Sequence, residues 1–420
     1  MNKSAICTEN RIFAVIVIIC LGMLCILVDG ISGFNRMIDA VLGDDESIED
    51  YSYRIKNISD GVNENIPVRN ELIDMSGLFL KATGIRDYYE DEYGISFTED
   101  GYIVSYKDYA STDYEIEQMV LLKEYLDEKG IRLLYVNEPA KYIDDSVYLE
   151  QFGKESYLNS NMDRFLQKLD ENNIEYIDLR DEIRKDNLYS FDMFYRTDHH
   201  WTVPASRWAA SKIMERLNTD YGYNAKMSLF DESSFLYTNF DKCWLGEQGR
   251  LLAETYTGLD DFTLVKPIFP TCFKRDYFGT VVQGDFDIFI DYKCYQDSFD
   301  AKGKVIPAKM NGWHYSYDDS GRIQNCNAEY GNVLVLGDSY CRTLVPFLSL
   351  GIRNIYEIQP RYMVEGQVID EIEAGGYDTV IVAYAQFMLG AHDDEKILII
   401  DSFPFLAEGI RMGALPEKWS

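Results

Sequence analysis

Basic residues are scarce in this chain. Its 420 residues hold 40 Lys and Arg against 71 Asp and Glu, a formal charge of −31 with a pI near 4.4. That balance excludes nucleic acid, and anionic lipid headgroups, as partners held by a basic patch. Its ordinary consequence is solubility. Histidine is scarcer still, with four residues in all. Eight cysteines include no Cys-x-x-Cys pair, which argues against a structural zinc site. There is no internal repeat and no low-complexity tract, so neither a solenoid nor a disordered linker array is expected. No cofactor and no metal are expected.

What is present begins with an apolar run. Ile12–Val28 is seventeen residues without a charge, about 26 Å long as a helix and at the short end for a membrane span. It lacks the polar stripe of a buried core helix. Lys3 and Arg11 precede it, while Asp29 and Asp44-Asp45-Glu46 follow, so the N-terminus should stay cytoplasmic and the rest be exported. No convincing small-x-small cleavage site follows, which favours an uncleaved signal anchor over 12–28. The expected location is the cell membrane, single-pass, with the rest of the chain outside. Cys243, Cys272, Cys294, Cys326 and Cys341 lie beyond the anchor, an odd number whose pairing the sequence does not reveal. Aromatic residues make up 14%, with 32 tyrosines; such rings suit sugars, although most aromatics fill cores.

Residues 30–65 read as a polar stalk, and Val68–Leu80 follows a helical pattern. Two short strands fall between Gly94 and Tyr106, turning at Asp100-Gly101. Helix-strand alternation follows. Asp113–Lys129 is an amphipathic helix ended by Gly130, and Ile131–Val136 a buried strand. Asn159–Asn172 is a helix, Ile174–Leu179 a strand, Asp181–Asn187 a short helix and Ala205–Leu217 another helix. From 219 to 328 the alternation fails, and the segment reads as an irregular β-rich insertion; the alternating Phe286–Ile290 belongs to it. Alternation resumes with strand Val333–Leu336, helix Tyr340–Leu350, strand Asn354–Ile358, helix Gly366–Glu373 and strand Thr379–Tyr384. This is an α/β pattern with a parallel sheet flanked by helices. This α/β domain spans 66–400, with the insertion at 219–328, and leaves a tail at 401–420.

Two stretches carry chemistry. Asp198-His199-His200-Trp201 places two of the four histidines beside a carboxylate, and imidazole is the usual general base near neutrality. Adjacent histidines diverge in an extended segment, whereas Asp198 and His200 share a face, so the carboxylate can orient that imidazole. The alternatives are a metal site, for which His314 and His392 lie in unrelated contexts, and a structural histidine. The second stretch is Asn332–Leu336 followed by Gly337-Asp338-Ser339-Tyr340. It puts Ser339 past the end of a parallel strand and at the opening of a helix, where backbone N–H groups favour developing negative charge. The bland alternative is a helix cap.

Gly337-Asp338-Ser339-Tyr340 after an apolar strand resembles the first block of the SGNH hydrolases. Asp198-His199-His200-Trp201 resembles the signature of the DHHW family, related to alginate O-acetylation proteins of the AlgJ/AlgX type. In that group the Asp-x-His precedes the serine, as here. Gly258–Phe262 with Pro267, Phe347–Leu350 and Arg361-Tyr362 are similar to DHHW-family stretches. The resemblance covers most of residues 65 to 390. It implies an SGNH-like fold with permuted motif order and a Ser339–His200–Asp198 triad. It also implies transfer of O-acetyl groups to an extracellular polysaccharide, with a membrane acyltransferase of the MBOAT type as donor partner. A carbohydrate O-acetylesterase, or a non-catalytic glycan-binding subunit of an export complex, fits the same fold. The SGNH glycine and asparagine blocks are not identifiable. Candidates for the oxyanion hole or substrate contacts are the backbone N–H groups of Ser339 and Tyr340, together with Arg361, Tyr384 and Lys141.

Overall fold

The computed structural model describes residues 94–291 except 99, 253 and 278, together with 321–360, 367–390, and positions 75, 77, 78, 403 and 405. The expected anchor, the stalk and most of the Val68–Leu80 helix lie outside the described residues, as do most of the tail and Arg361. Among the described residues no helix is long and apolar enough to cross a membrane. Contacts divide the chain into two units. Met1–Ile85 with Leu251–Tyr256 form one, of which only short helical pieces are described. Arg86–Arg250 with Thr257–Ser420 form the other, and it contains the features below apart from the last two residues of the helix Glu247–Leu252.

The second unit opens with a hairpin, β1 (Ile95–Phe97) and β2 (Ile103–Ser105). The helix α1 (Asp113–Lys129) leads to β3 (Arg132–Glu138), then α2 (Asp145–Phe152), α3 (Leu158–Glu171), β4 (Tyr176–Asp178) and α4 (Leu179–Lys185). After the Asp198 loop comes α5 (Val203–Tyr221), with Pro204 in its first turn and the Thr202 hydroxyl accepting the Ala205 N–H at 3.3 Å as N-cap. Strand β5 (Phe235–Trp244), the short helix α6 (Glu247–Leu252) and β6 (Asp260–Pro267) follow, then β7 (Phe273–Tyr277), β8 (Thr280–Gly284) and β9 (Arg322–Asn325). The chain returns through β10 (Asn332–Gly337), α7 (Cys341–Leu348), β11 (Asn354–Ile358), α8 (Gln367–Gly375) and β12 (Thr379–Ala385).

The main sheet has the order β4-β3-β12-β10-β11-β9-β7-β8. Its first five strands are parallel, and β9, β7 and β8 add antiparallel. The parallel sheet expected from helix-strand alternation is therefore the larger part of a mixed one. Strand β12 is buried at every residue and β10 at all but its first, as befits strands covered on both faces. The apolar core centres on these strands, with Val380, Ile381, Val382, Val333, Leu334 and Val335 sealed from solvent. At ~1.5–3 kcal/mol for each large side chain removed from water, this layer is the principal stabiliser of the sheet.

The described residues of 219–328 are β-rich as expected, but they are integral to the fold. Strands β7 and β9 pair with each other and extend the main sheet. Strands β5 and β6 form a separate pair in which Trp244 lies opposite Asp260 after a bulge. The alternating run Phe286–Ile290 does not form a strand: Phe286–Phe289 is a 3-10 turn capped by Asp285, whose side chain accepts the Asp287 N–H. Phe286 and Phe289 are three residues apart, so one such turn places both rings on the core side, where each packs on Phe273.

Candidate active site

The carboxyl ends of β3, β12 and β10 converge on one edge of the sheet, where open α/β sheets place ligands. Ser339 lies in the turn between β10 and α7, and Asp338 fixes that turn. Its carboxylate accepts the Tyr340 N–H at 2.9 Å and the Ala385 N–H of β12 at 2.9 Å. The carbonyls of Asp338 and Ser339 accept the first N–H groups of α7. Gly337 is required for close approach: a Cβ there would fall 2.3 Å from Cys341 Sγ and 3.1 Å from the Ala383 carbonyl.

The Asp198 loop is not extended. The His200 N–H donates to Asp198 Oδ1 at 2.9 Å, closing an Asx turn, and His200 Nδ1 sits 2.6 Å from the same oxygen. The tight turn also overturns the expected divergence of the histidines, because their rings lie side by side with centroids 3.9 Å apart. His200 Nε2 is 2.8 Å from Ser339 Oγ, bridging 139 residues. Asp198, His200 and Ser339 thus form one continuous hydrogen-bonded line. With Nδ1–H donating to Asp198, Nε2 is the nitrogen that accepts the serine hydroxyl proton.

Asp198 is almost wholly buried, and its other oxygen accepts the Glu247 N–H at 2.6 Å. Burial raises its pKa, but the charge and hydrogen bond of His200, the charge of His199 and the Glu247 N–H outweigh burial. Together they hold the carboxyl well below the usual range. Asp198, His199 and His200 lie close enough to hold a cation. Two of the three already have partners, however, since both Asp198 oxygens and both His200 nitrogens carry hydrogen bonds.

The supports of this loop were largely hidden in the sequence. Asp260, at the start of β6, accepts the Arg196 N–H at 2.8 Å, the Thr197 N–H at 2.8 Å and the Thr197 hydroxyl at 2.5 Å. It stood in the sequence only within the family-like Gly258–Phe262 stretch, without an assigned role. Gly246 N–H donates to Thr197 Oγ1 at 2.8 Å, and Gly249 N–H to the Thr197 carbonyl at 2.8 Å. A Cβ on Gly246 would lie 2.5 Å from both Asp198 Cβ and the Thr197 carbonyl oxygen. No sequence signal short of a family pattern marks Gly246 or Glu247, because what they contribute is backbone. Trp201 anchors the loop from the other side, its indole N–H reaching the Tyr340 carbonyl at 3.3 Å and Thr343 Oγ1 at 3.2 Å.

The remaining candidates separate. The Tyr340 N–H is taken by Asp338, so it is not an oxyanion donor in this arrangement. The Tyr340 phenol donates to the His199 carbonyl, cross-linking the two motifs a second time. The Ser339 N–H makes no hydrogen bond among the described residues and keeps its candidacy. Tyr384 is buried, and its ring packs on Phe403, at 4.9 Å, and on Phe405. Lys141 is buried, with Nζ donating to the carbonyls of Ile103 at 2.5 Å and Arg196 at 3.2 Å. Burial, partly offset by Asp260 and Asp198, pushes its pKa down to about 7. It positions the loop from beneath.

Beside the triad lies a cavity of about 310 Å³, at the small end for ligand pockets. Its wall is mainly apolar and aromatic, with Tyr106, Tyr142, Tyr340 and Phe387 lining it and His199 facing in from the triad. Burial and the neighbouring His200 charge lower the His199 pKa to about 4, so its ring is neutral at physiological pH.

Residues 97–232 match the family model for the SGNH hydrolase-like domain of the acetyltransferase AlgX. Bacillus cereus PatB1 with a sulfonyl adduct aligns at a TM-score of 0.55 and 21% identity, over 74% of this chain and 99% of that one. PatB1 without it aligns at 0.55 and 21% identity, over 70% and 96%. A DHHW family protein from Eubacterium siraeum aligns at 0.48 and 17% identity, over 69% and 88%. No curated protein sequence matches the chain. At these identities the PatB1 likeness establishes a common fold. The matched span 97–232 is thus similar to the SGNH hydrolase-like domain of the acetyltransferase AlgX; it contains the Asp-His-His loop and ends before Ser339.

Proposed function

We propose that this protein is a membrane-anchored O-acetyltransferase that modifies an exported or cell-surface polysaccharide through an acyl-enzyme on Ser339. One observation carries the reading: the 2.8 Å contact from Ser339 Oγ to His200 Nε2, continued at 2.6 Å from His200 Nδ1 to Asp198. In the first half-reaction Ser339 Oγ attacks the acetyl carbonyl carbon of the donor as His200 Nε2 takes its proton. The donor's leaving group then departs with that proton, leaving acetyl-Ser339. In the second, a sugar hydroxyl attacks the acetyl carbon, His200 receives the hydroxyl proton, and Ser339 Oγ recovers it as it leaves. Asp198 holds the tautomer and stabilises the imidazolium formed in each half. The Ser339 N–H, supported by Arg361, is the proposed oxyanion donor. The aromatic cavity beside His199 suits the faces of a sugar ring. In this proposal an acyltransferase of the MBOAT type supplies acetyl groups across the membrane, and Ile12–Val28 is the anchor.

The test is intact-protein mass spectrometry after a pulse of an activated acetyl ester, then a chase with oligosaccharides. An acetyl adduct on Ser339 that moves to the acceptor is expected. Acetate release that no acceptor alters would replace the transferase by an esterase using the same three residues. Ester turnover unchanged in Ser339→Ala would leave only a non-catalytic binding subunit.

A further inference from the structure

We propose that Cys272 and Cys326 are a disulfide site that ties β7 to β9, remote in role from the Ser339 centre. Strands β7 and β9 pair antiparallel with Phe273 opposite Asn325 and Lys274 opposite Gln324. One step outward, that register sets Cys272 opposite Cys326, and the Cys326 N–H donates to the Cys272 carbonyl at 2.8 Å. Directly opposed residues of an antiparallel pair project to the same face, with Cα atoms about 5.5 Å apart. A disulfide spans Cα separations of about 4.4–6.8 Å, so the backbone need not move. Phe273 and Asn325 are buried, which turns the two cysteines to the opposite, outer face, where Cys272 is half-buried and Cys326 exposed. The side chains are close enough to influence each other, since the neighbouring Cys326 thiol is the first cause that raises the Cys272 pKa.

The other described cysteines are unsuited. Cys243 is buried at the end of β5 with its thiol on the Phe240 carbonyl, and burial pushes its pKa up to about 12. Cys341 is buried under the serine turn, between Glu138 and the Ala383 carbonyl. Both lack the exposure and thiolate character that exchange requires. Cys326 has the exposure. Its thiolate attacks the disulfide of a dithiol–disulfide oxidant, giving a mixed disulfide and releasing one oxidant thiol. The Cys272 thiolate then attacks Cys326 Sγ and expels the second. The pair has lost two protons and two electrons, and the oxidant is reduced to its dithiol.

The covalent loop closed in this way runs from 272 to 326 and includes β8 and residues 292–320. The experiment uses the full chain equilibrated with oxidised glutathione, trapped with N-ethylmaleimide and mapped by peptide mass spectrometry. The expected result is a Cys272–Cys326 linked peptide pair, and a thermal midpoint that drops by about 5 °C on reduction. Cys272→Ser should abolish both the linkage and the reductant effect, whereas Cys294→Ser should preserve both. Full alkylation of Cys272 and Cys326 after equilibration, or linkage of either one to Cys294, overturns the proposal. None of these readouts depends on Ser339 chemistry, so failure here leaves the acetyl-transfer reading untouched.

Discussion

At the scale of single residues, the site works through groups whose protonation is set by burial and partners. Replacing Asp198 by Asn keeps the shape but removes the charge and favours the wrong imidazole tautomer. Turnover of an acetyl ester should fall about 10⁴-fold while circular dichroism stays unchanged. The depressed Asp198 pKa also makes a stability statement. Its stabilising contribution is complete above the unfolded carboxyl pKa, about 3.9, and is lost as pH falls towards the folded value. Glu138 has the opposite sign. It is fully buried at the end of β3, and burial, with Asp338 and Glu357 nearby, raises its pKa far above the ordinary range. A carboxyl kept neutral in the fold but ionised in the unfolded chain loses stability as pH rises above the unfolded value, about 4.3. Glu138→Gln should therefore raise the thermal midpoint, and by more at pH 8 than at pH 5. A gain independent of pH would refute this assignment.

At the scale of elements, the β5–β6 pair is the scaffold of the Asp198 loop. Asp260→Ala strips the partners from two backbone N–H groups and a hydroxyl, all buried or partly buried. Denaturant unfolding should show a loss of about 2–4 kcal/mol, together with loss of turnover. Gly246→Ala drives a methyl group into Asp198 and the Thr197 backbone, and should lower stability by about 1–3 kcal/mol while displacing His200 from Ser339. A Gly246→Ala variant with full activity would show that this loop tolerates movement. These supports explain where the sequence was legible. The parallel strands announced themselves because burial on both faces writes continuous apolar runs, and Asn354–Ile358 falls where the pattern placed it. The Asp-His-His and Gly-Asp-Ser stretches were visible because their side chains carry the chemistry. Gly246 and Glu247 act through backbone, and Asp260 through distant N–H groups, so composition and periodicity pass over them. Residues 219–328 read as an insertion because short antiparallel strands with exposed faces leave weak patterns. Strand β8, exposed along its whole length, is the extreme case.

At the scale of the whole molecule, charge sets the behaviour in solution. A net charge of −31 keeps copies apart near neutrality and vanishes near the pI of 4.4. Turbidity titrated from pH 7 down to pH 4 should rise most steeply close to that value. A flat profile would mean that the acidic residues are shielded by assembly.

The double crossing between the two motifs, with Tyr340 reaching the His199 carbonyl and Trp201 reaching the Tyr340 carbonyl, bears on the timing of biosynthesis. A nascent chain displays Asp198 and His200 long before Ser339 is translated, and the serine turn still lacks the Ala385 N–H that secures Asp338. Neither half is a working fragment. The Asp198–His200–Ser339 line is complete only when β12 has entered the sheet between β3 and β10, so the chain leaves the ribosome without an assembled site.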